Sequence, residues 1–304
     1  MNKIIIYFYK IFLYKNILNM NKPNFFKTQA CSPFKELDFT CYSTKSLINI
    51  KNKWNKKHPS MSISSKDPYI IWNKLKYLLS NVCDNEKCWL RQQFIKNNVD
   101  SNLLSYTFAP DRPSTWDKNN NEWLDSNNIL NVMKQYEKKY NNFRFLGPSP
   151  INYDYLIYDN ECVWNELCNF NLFEYLKNGV TKIGIIFNTD PHNKSGEHWV
   201  SLFINIESTT PYIFYFDSTG DKILSKIKKF SNNVIKQAKQ FNINLKYIDN
   251  HNIKHQKGNS ECGMYSLYFI IQLLTDNNDY NHFLDNNNKI PDKFVEKYRH
   301  IYFN

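Results

Sequence analysis

Absences set the first limits. No apolar run reaches the roughly 20 residues that a helix needs to cross a bilayer. The most apolar stretch, the opening MNKIIIYFYKIFLYKNILNM, is broken by Lys10 and Lys15. No small-residue cleavage site follows it, so it does not read as a secretory signal. Residues 1–20 are therefore expected to be a tail outside the folded chain, with Met20 as an alternative start, and the protein is expected to work inside a cell. Cysteine is scarce and odd in number: seven in 304 residues, at 31, 41, 83, 88, 162, 168 and 262. That count suits free thiols in a reducing compartment better than a disulfide framework. Cys83/Cys88 and Cys162/Cys168 are too loosely spaced for a four-thiolate zinc site, and no histidine joins them. No metal and no organic cofactor is expected. Zinc-finger spacing and the aromatic signature of RNA-binding sheets are also missing. Acidic residues are in the minority, 28 against 39 basic, for a net charge of +11. Local groups at KNKWNKKHP (51–59) and KIKKF (226–230) read as a solvated basic surface, open to non-specific contact with DNA or RNA.

What is present is a foldable chain. Apolar residues make up 42% and aromatics 16%, enough for a sizeable core and against disorder. Helical periodicity runs through STKSLINIKNKWNKKH (43–58) and DPYIIWNKLKYLLSNVC (67–83), the second with Asp67 and Pro68 at cap and first-turn positions. Residues 21–112 thus read as a helical arm. FAPDRPSTWDKNNNEW (108–123) is a Pro-punctuated loop or linker, followed by a helix within 123–143. The texture then changes to short β-branched and aromatic runs at 181–190, 198–207 and 211–219. A helix at 221–241, a strand at 243–249 and a buried helix ending at Leu274 follow. Strands followed by helices predict an α+β core over residues 113–304.

The chemistry gathers around HQKGNSECGMYSLYFIIQLL (255–274). Apolar residues on nearly every face mark a core helix. Gly258, Asn259 and Ser260 read as its turn and N-cap residues, so Cys262 falls in the first turn. Free N–H groups and the helix dipole favour a thiolate there. The plain alternative is a small buried hydrophobe. His198 opens one strand, after the loop TDPHNKSGE, and Asp217 closes the next. Antiparallel strands joined by ESTTP would bring both to one end of the sheet, where a carboxylate can orient an imidazole. Nucleophile, base and orienter are then all supplied. Gln256 and the Cys262 backbone N–H offer two donors for an oxyanion, and Gly263 leaves room for an acyl group. Cys88 and Cys162 precede His198, the order of papain-like peptidases, but neither is followed by a nucleophile helix with a glutamine upstream. His192, His251 and His255 read as loop histidines.

The order His–Asp–Gln–Cys, with HW, FDS and Q-x5-CG, resembles the cysteine peptidases that include the SUMO-specific proteases and the adenovirus proteinase, over about residues 115–275. The resemblance implies a papain-like-superfamily core, a central mixed sheet flanked by helices. It implies His198 as general base, Asp217 as its partner, Cys262 as nucleophile and Gln256 in the oxyanion hole. EWLDSNNI resembles the WLND segment that opens SUMO-protease domains. Trp123 and Trp199 would then close over a Gly-Gly dipeptide, although the acid is displaced by one position, to Asp125. The long arm and NTDPHNKSGEHW are closer to the processing peptidases of large nucleocytoplasmic DNA viruses, the African swine fever virus type. That implies a thiol endopeptidase that cuts structural polyproteins after Gly-Gly, in the host cytoplasm (the viral factory) or the virion. Removal of a SUMO- or ubiquitin-like modifier is the alternative. A basic virion or nucleic-acid-binding protein on an inactive peptidase fold is a second.

Overall fold

The computed structural model describes residues 26–92, residue 95 and residues 106–304. The expected tail at 1–20, with the choice between Met1 and Met20, lies outside the described residues. The chain divides into two compact units, Met1–Gln29 with Glu36–Leu104, and Ala30–Lys35 with Ser105–Asn304.

Regular structure in the first unit is helical among the described residues: α1 (Thr44–Lys57), α2 (Pro68–Leu79) and α3 (Glu86–Arg91). Each start has a side-chain cap. Ser43, Asp67 and Asn85 accept from the backbone N–H groups of Ser46, Ile70 and Cys88, satisfying donors that a helix start leaves free. Glu86 is buried and accepts from the Thr40 hydroxyl at 2.9 Å, the Cys41 amide at 3.1 Å and the Trp72 indole at 2.5 Å. Burial nevertheless pushes its carboxyl up from the usual range, against the pull of those bonds.

The second unit is built on one mixed sheet. Its strands are β1 (Phe143–Phe145), β2 (Ser149–Pro150), β3 (Lys182–Asn188), β4 (Trp199–Asn205), β5 (Tyr212–Phe216) and β6 (Lys246–Asp249). The order is β1-β3-β4-β5-β6, with β2 also on β3. β4 runs antiparallel to β3 and β5, while β1 and β2 run parallel to β3, and β6 parallel to β5. Successive side chains leave opposite faces of a strand, and two cores result. Ile186, Phe203, Phe214 and Phe216 face one. Ile185, Phe187, Leu202, Ile204, Ile213 and Tyr215 face the other.

The helices of this unit are α4 (Ser126–Lys139), α5 (Asn165–Cys168), α6 (Leu172–Lys177), α7 (Ser225–Lys239), α8 (Cys262–Leu274), α9 (Asp292–Glu296) and α10 (Arg299–Tyr302). α4, α8, α9 and α10 fill the first core; α5, α6 and α7 cover the second. All thirteen residues of α8 are buried, as its all-round apolar sequence requires. It lies close on the sheet because Gly184 has no side chain: a Cβ there would stand 2.9 Å from Ile270 Cγ2 and 3.1 Å from the Phe143 ring. This is an α+β fold, a mixed sheet flanked by helices.

Two expectations change. The stretch 108–123 is more than a linker, since it buries Phe108, Ala109 and Trp116 and Trp116 joins the core around α8. Its prolines punctuate a packed segment. The cysteines are not all free: Cys83 pairs with Cys88 and Cys162 with Cys168, Cys31 and Cys41 are also disulfide-bonded, and Cys262 is the free one. An odd count cannot distinguish seven thiols from six bonded cysteines and one thiol. His255 lies on a loop as expected, and is buried there, with the Ile290 amide donating to Nδ1 and Nε2 facing the Phe283 carbonyl. Burial holds its pKa below the ordinary value.

Candidate active site

His198 immediately precedes β4 and Asp217 immediately follows β5. With Ser201 opposite Phe216 in an antiparallel register, both arrive at the same end of the sheet. His198 Nε2 meets Asp217 Oδ1 at 2.8 Å. The carboxylate is held in turn: Oδ1 also accepts from the Thr219 amide at 2.9 Å and its hydroxyl at 2.7 Å, a local turn that Asp is suited to form. The Asp217 backbone is clamped by Asn250, which accepts from its amide at 2.9 Å and donates to its carbonyl at 2.6 Å. Asn250 is fully buried, just beyond β6. Because Nε2 is taken by the acid, Nδ1 is the nitrogen left for the sulfur.

Cys262 is the first residue of α8 and 1% exposed. The cap differs from the expected one. Glu261 occupies the N-cap position with helical backbone angles and makes no side-chain cap bond; the Ser260 hydroxyl donates to its carboxylate instead, at 2.5 Å. The first-turn N–H groups are thus spared from side-chain capping at the point where the sulfur sits. Burial would pull the His198 pKa down. Hydrogen bonding and charge from Asp217 and Cys262 outweigh it and push it up from 6.5 to about 10. The imidazole therefore holds its proton at neutral pH.

Gln256 is 2% exposed on the segment that feeds α8. Its Oε1 accepts from the Ser218 hydroxyl at 2.7 Å, and its Nε2 donates to the Gly258 carbonyl at 3.0 Å. The backbone is tied to the same residue, with the Gln256 amide donating to the Ser218 carbonyl at 2.8 Å. Two bonds of opposite polarity settle which end of the side-chain amide is which. One Nε2–H remains for a substrate oxygen.

The two tryptophans differ. Trp123 is 42% exposed, whereas Trp199 is 6% exposed and belongs to the core around α8. They meet through Leu124, whose carbonyl accepts from Trp199 Nε1 at 2.9 Å. Asp125 caps α4: it accepts from the Asn128 amide at 2.7 Å while Asn128 accepts in return from the Asp125 amide. Gly263 also has a packing role, since a Cβ there would stand 2.9 Å from Leu124 Cβ. His192 lies off the dyad, bonded to Asn152 and stacked on Tyr155; His251 Nδ1 faces the Gly220 carbonyl. Cys88 and Cys162, the rival nucleophiles, are in disulfides. Ser218, Thr219 and Asn250 escaped sequence reasoning. Ser218 and Thr219 stood in view beside Asp217, but Asn250 is one of many asparagines and carries no local mark.

Residues 179–303 match the model of the Ulp1 protease family, C-terminal catalytic domain. A thiol protease of Acanthamoeba polyphaga mimivirus is 30% identical over 270 residues, 81% of this chain and 84% of that one. A SUMO-1 cysteine protease of African swine fever virus is 27% identical over 229 residues, 71% of this chain and 81% of that one. The crystal structure of an African swine fever virus protease superposes with a TM-score of 0.67 at 22% identity, over 91% of this chain and 96% of that one. The chain belongs to the Ulp1-type family of cysteine peptidases.

Proposed function

We propose that this peptidase cleaves after Gly-Gly-type sites and processes a viral structural polyprotein during particle maturation, in the host cytoplasm or the virion. In the reaction, His198 holds the proton at Nδ1 while the Cys262 sulfur attacks the scissile carbonyl carbon. The Cys262 amide and the free Gln256 Nε2–H receive the oxyanion. Collapse expels the amine, which takes the proton from His198, and leaves a thioester on Cys262. Water, deprotonated by His198, attacks the thioester; collapse releases the acid and frees the sulfur, with the proton left on His198. Asp217 keeps the ring in register throughout.

The observation that carries the glycine preference is the strap Glu122-Trp123-Leu124. Leu124 is bound to the neighbours of both reacting residues, Gly263 beside Cys262 and Trp199 beside His198. Its own neighbour, Trp123, offers an indole to solvent. A broad ring on that strap narrows the approach to the sulfur to chain without side chains. The viral sources of the relatives support a polyprotein substrate. The SUMO-1 protease name of one relative supports the second reading, removal of a ubiquitin-like modifier. The excess of basic residues, +11 net, suits contact with DNA or RNA in either setting.

The test is cleavage of a Gly-Gly-X peptide library, with Cys262→Ala as the control. Wild type should cut after the second glycine and the variant should cut nothing. Trp123→Ala should lower the ratio of kcat/KM between Gly-Gly-X and Gly-Ala-X peptides with the melting temperature kept. Equal rates on both peptides by the wild type would remove the glycine slot.

A further inference from the structure

Arg299, the first residue of α10, is 4% exposed. Its guanidinium carbon lies 4.5 Å from the centre of the Trp116 ring, and Trp116 meets Phe303 edge-on at 5.1 Å. Nη2 donates to the Glu122 carbonyl at 2.8 Å. Nε and Nη1 are buried with no hydrogen-bond partner. A buried cation with two idle donors is costly, and an aliphatic side chain would fill the same space at lower cost. What only the guanidinium supplies is a planar face for Trp116 and a directed bond to Glu122. Burial draws its pKa down, and the charges of Glu261, Glu296, Glu122 and Cys262 oppose that pull.

Glu122 is the upstream end of the strap. The downstream end is already fixed, by Trp199 Nε1 on the Leu124 carbonyl, by Leu124 against Gly263, and by Asp125 capping α4. Upstream, the Glu122 carboxylate meets the Thr115 hydroxyl, an exposed contact. Arg299 is the buried anchor on that side. With both ends held, Trp123 between them has little freedom; with one end free, the strap pivots about Leu124 and the indole swings.

We propose that Arg299 is a specificity-determining positioning residue: by holding the Glu122 carbonyl it sets where Trp123 stands, and so enforces the exclusion of side chains before the scissile bond. The specificity half rests on the glycine-slot reading above; the anchoring half does not.

Arg299→Lys keeps the charge without the planar fork, and Arg299→Met keeps the packing without charge or donor. In the full-length protein, hydrogen exchange of the peptide spanning 119–126 should quicken about tenfold in both variants, the scale of one lost charge-assisted hydrogen bond. On Gly-Gly-X peptides KM should rise with kcat little changed, and the Gly-Gly-X over Gly-Ala-X ratio should fall. Iodoacetamide should alkylate Cys262 at the wild-type rate. In a Trp123→Ala background the same Arg299 changes should no longer move the ratio, as shared action through one residue requires. Unchanged exchange in the strap overturns the proposal, as does an equal drop in both backgrounds or a loss confined to kcat with slower alkylation. A wild type without glycine preference would remove the slot and the specificity half with it. The anchor is then judged by exchange alone, kept if the strap loosens and lost if it does not.

Discussion

His198 offers Nε2 to its acid and so reserves Nδ1 for the sulfur, which makes the Asp217 contact a device for choosing a tautomer as well as an orientation. The carboxylate oxygen that binds the ring is also bound by both polar groups of Thr219, so it has little freedom to turn away. Asp217→Asn keeps the size of the side chain and can keep the Thr219 contacts, but its charge is gone and its amide can present N–H where an acceptor is needed. We expect a folded enzyme with kcat lowered by roughly two to four orders of magnitude. Steady-state kinetics beside a thermal melt check this, and a near-wild-type kcat would mean that another group orients the ring. That these residues meet was legible, because a histidine before one strand and an aspartate after the next can be placed from alternation and a turn alone. The supports were less legible. Asn250 reaches Asp217 through a parallel strand pairing that follows a helix, a contact no local pattern reveals. Asp125 reads as a displaced family acid until the structure shows it capping α4.

Among the elements, α8 and β4 decide where the reaction takes place, and small residues decide how closely the parts meet. At Gly263, an alanine would gain up to about 1 kcal/mol of helix propensity. The same Cβ would press on Leu124 at 2.9–3.2 Å, and overpacking of this kind costs about 1–3 kcal/mol. Overpacking wins, so Gly263→Ala should be less stable in urea and slower on peptide. Leu124→Gly, which removes the clashing Cβ, should recover part of the stability when combined with it; strict additivity of the two changes would show that the contact does not matter. The long strands and helices announce themselves by period, as with β3, β4, β5, α1, α2 and α7. β1 and β2 are three and two residues long, too short to show alternation, and exist because β3 offers them an edge. The segment 108–123 misleads because prolines mark turns equally well in linkers and in packed chain.

For the molecule as a whole, the dyad leaves a mark on stability. His198 titrates near 6.5 when unfolded and is pushed up to about 10 in the folded chain by Asp217 and Cys262, against the pull of burial. Between those values the folded form binds a proton that the unfolded form releases. The stabilisation is therefore complete below pH 6.5 and is lost as pH rises through about 10. The difference in melting temperature between wild type and His198→Gln should shrink across that window. A difference that holds steady or widens would contradict the raised value.

The cysteine arrangement has a further consequence for anyone handling the protein. With six cysteines bonded, the oxidised molecule carries a single sulfhydryl, and it is the proposed nucleophile. Each molecule thus contains its own tally mark: the moles of a thiol-reactive dye taken up equal the moles of chain with a usable Cys262. Rates can be divided by that count instead of by protein mass, which separates a slow preparation from a partly dead one. Strong reductant, added to protect the thiol, would open the other sulfurs and dissolve the one-to-one correspondence.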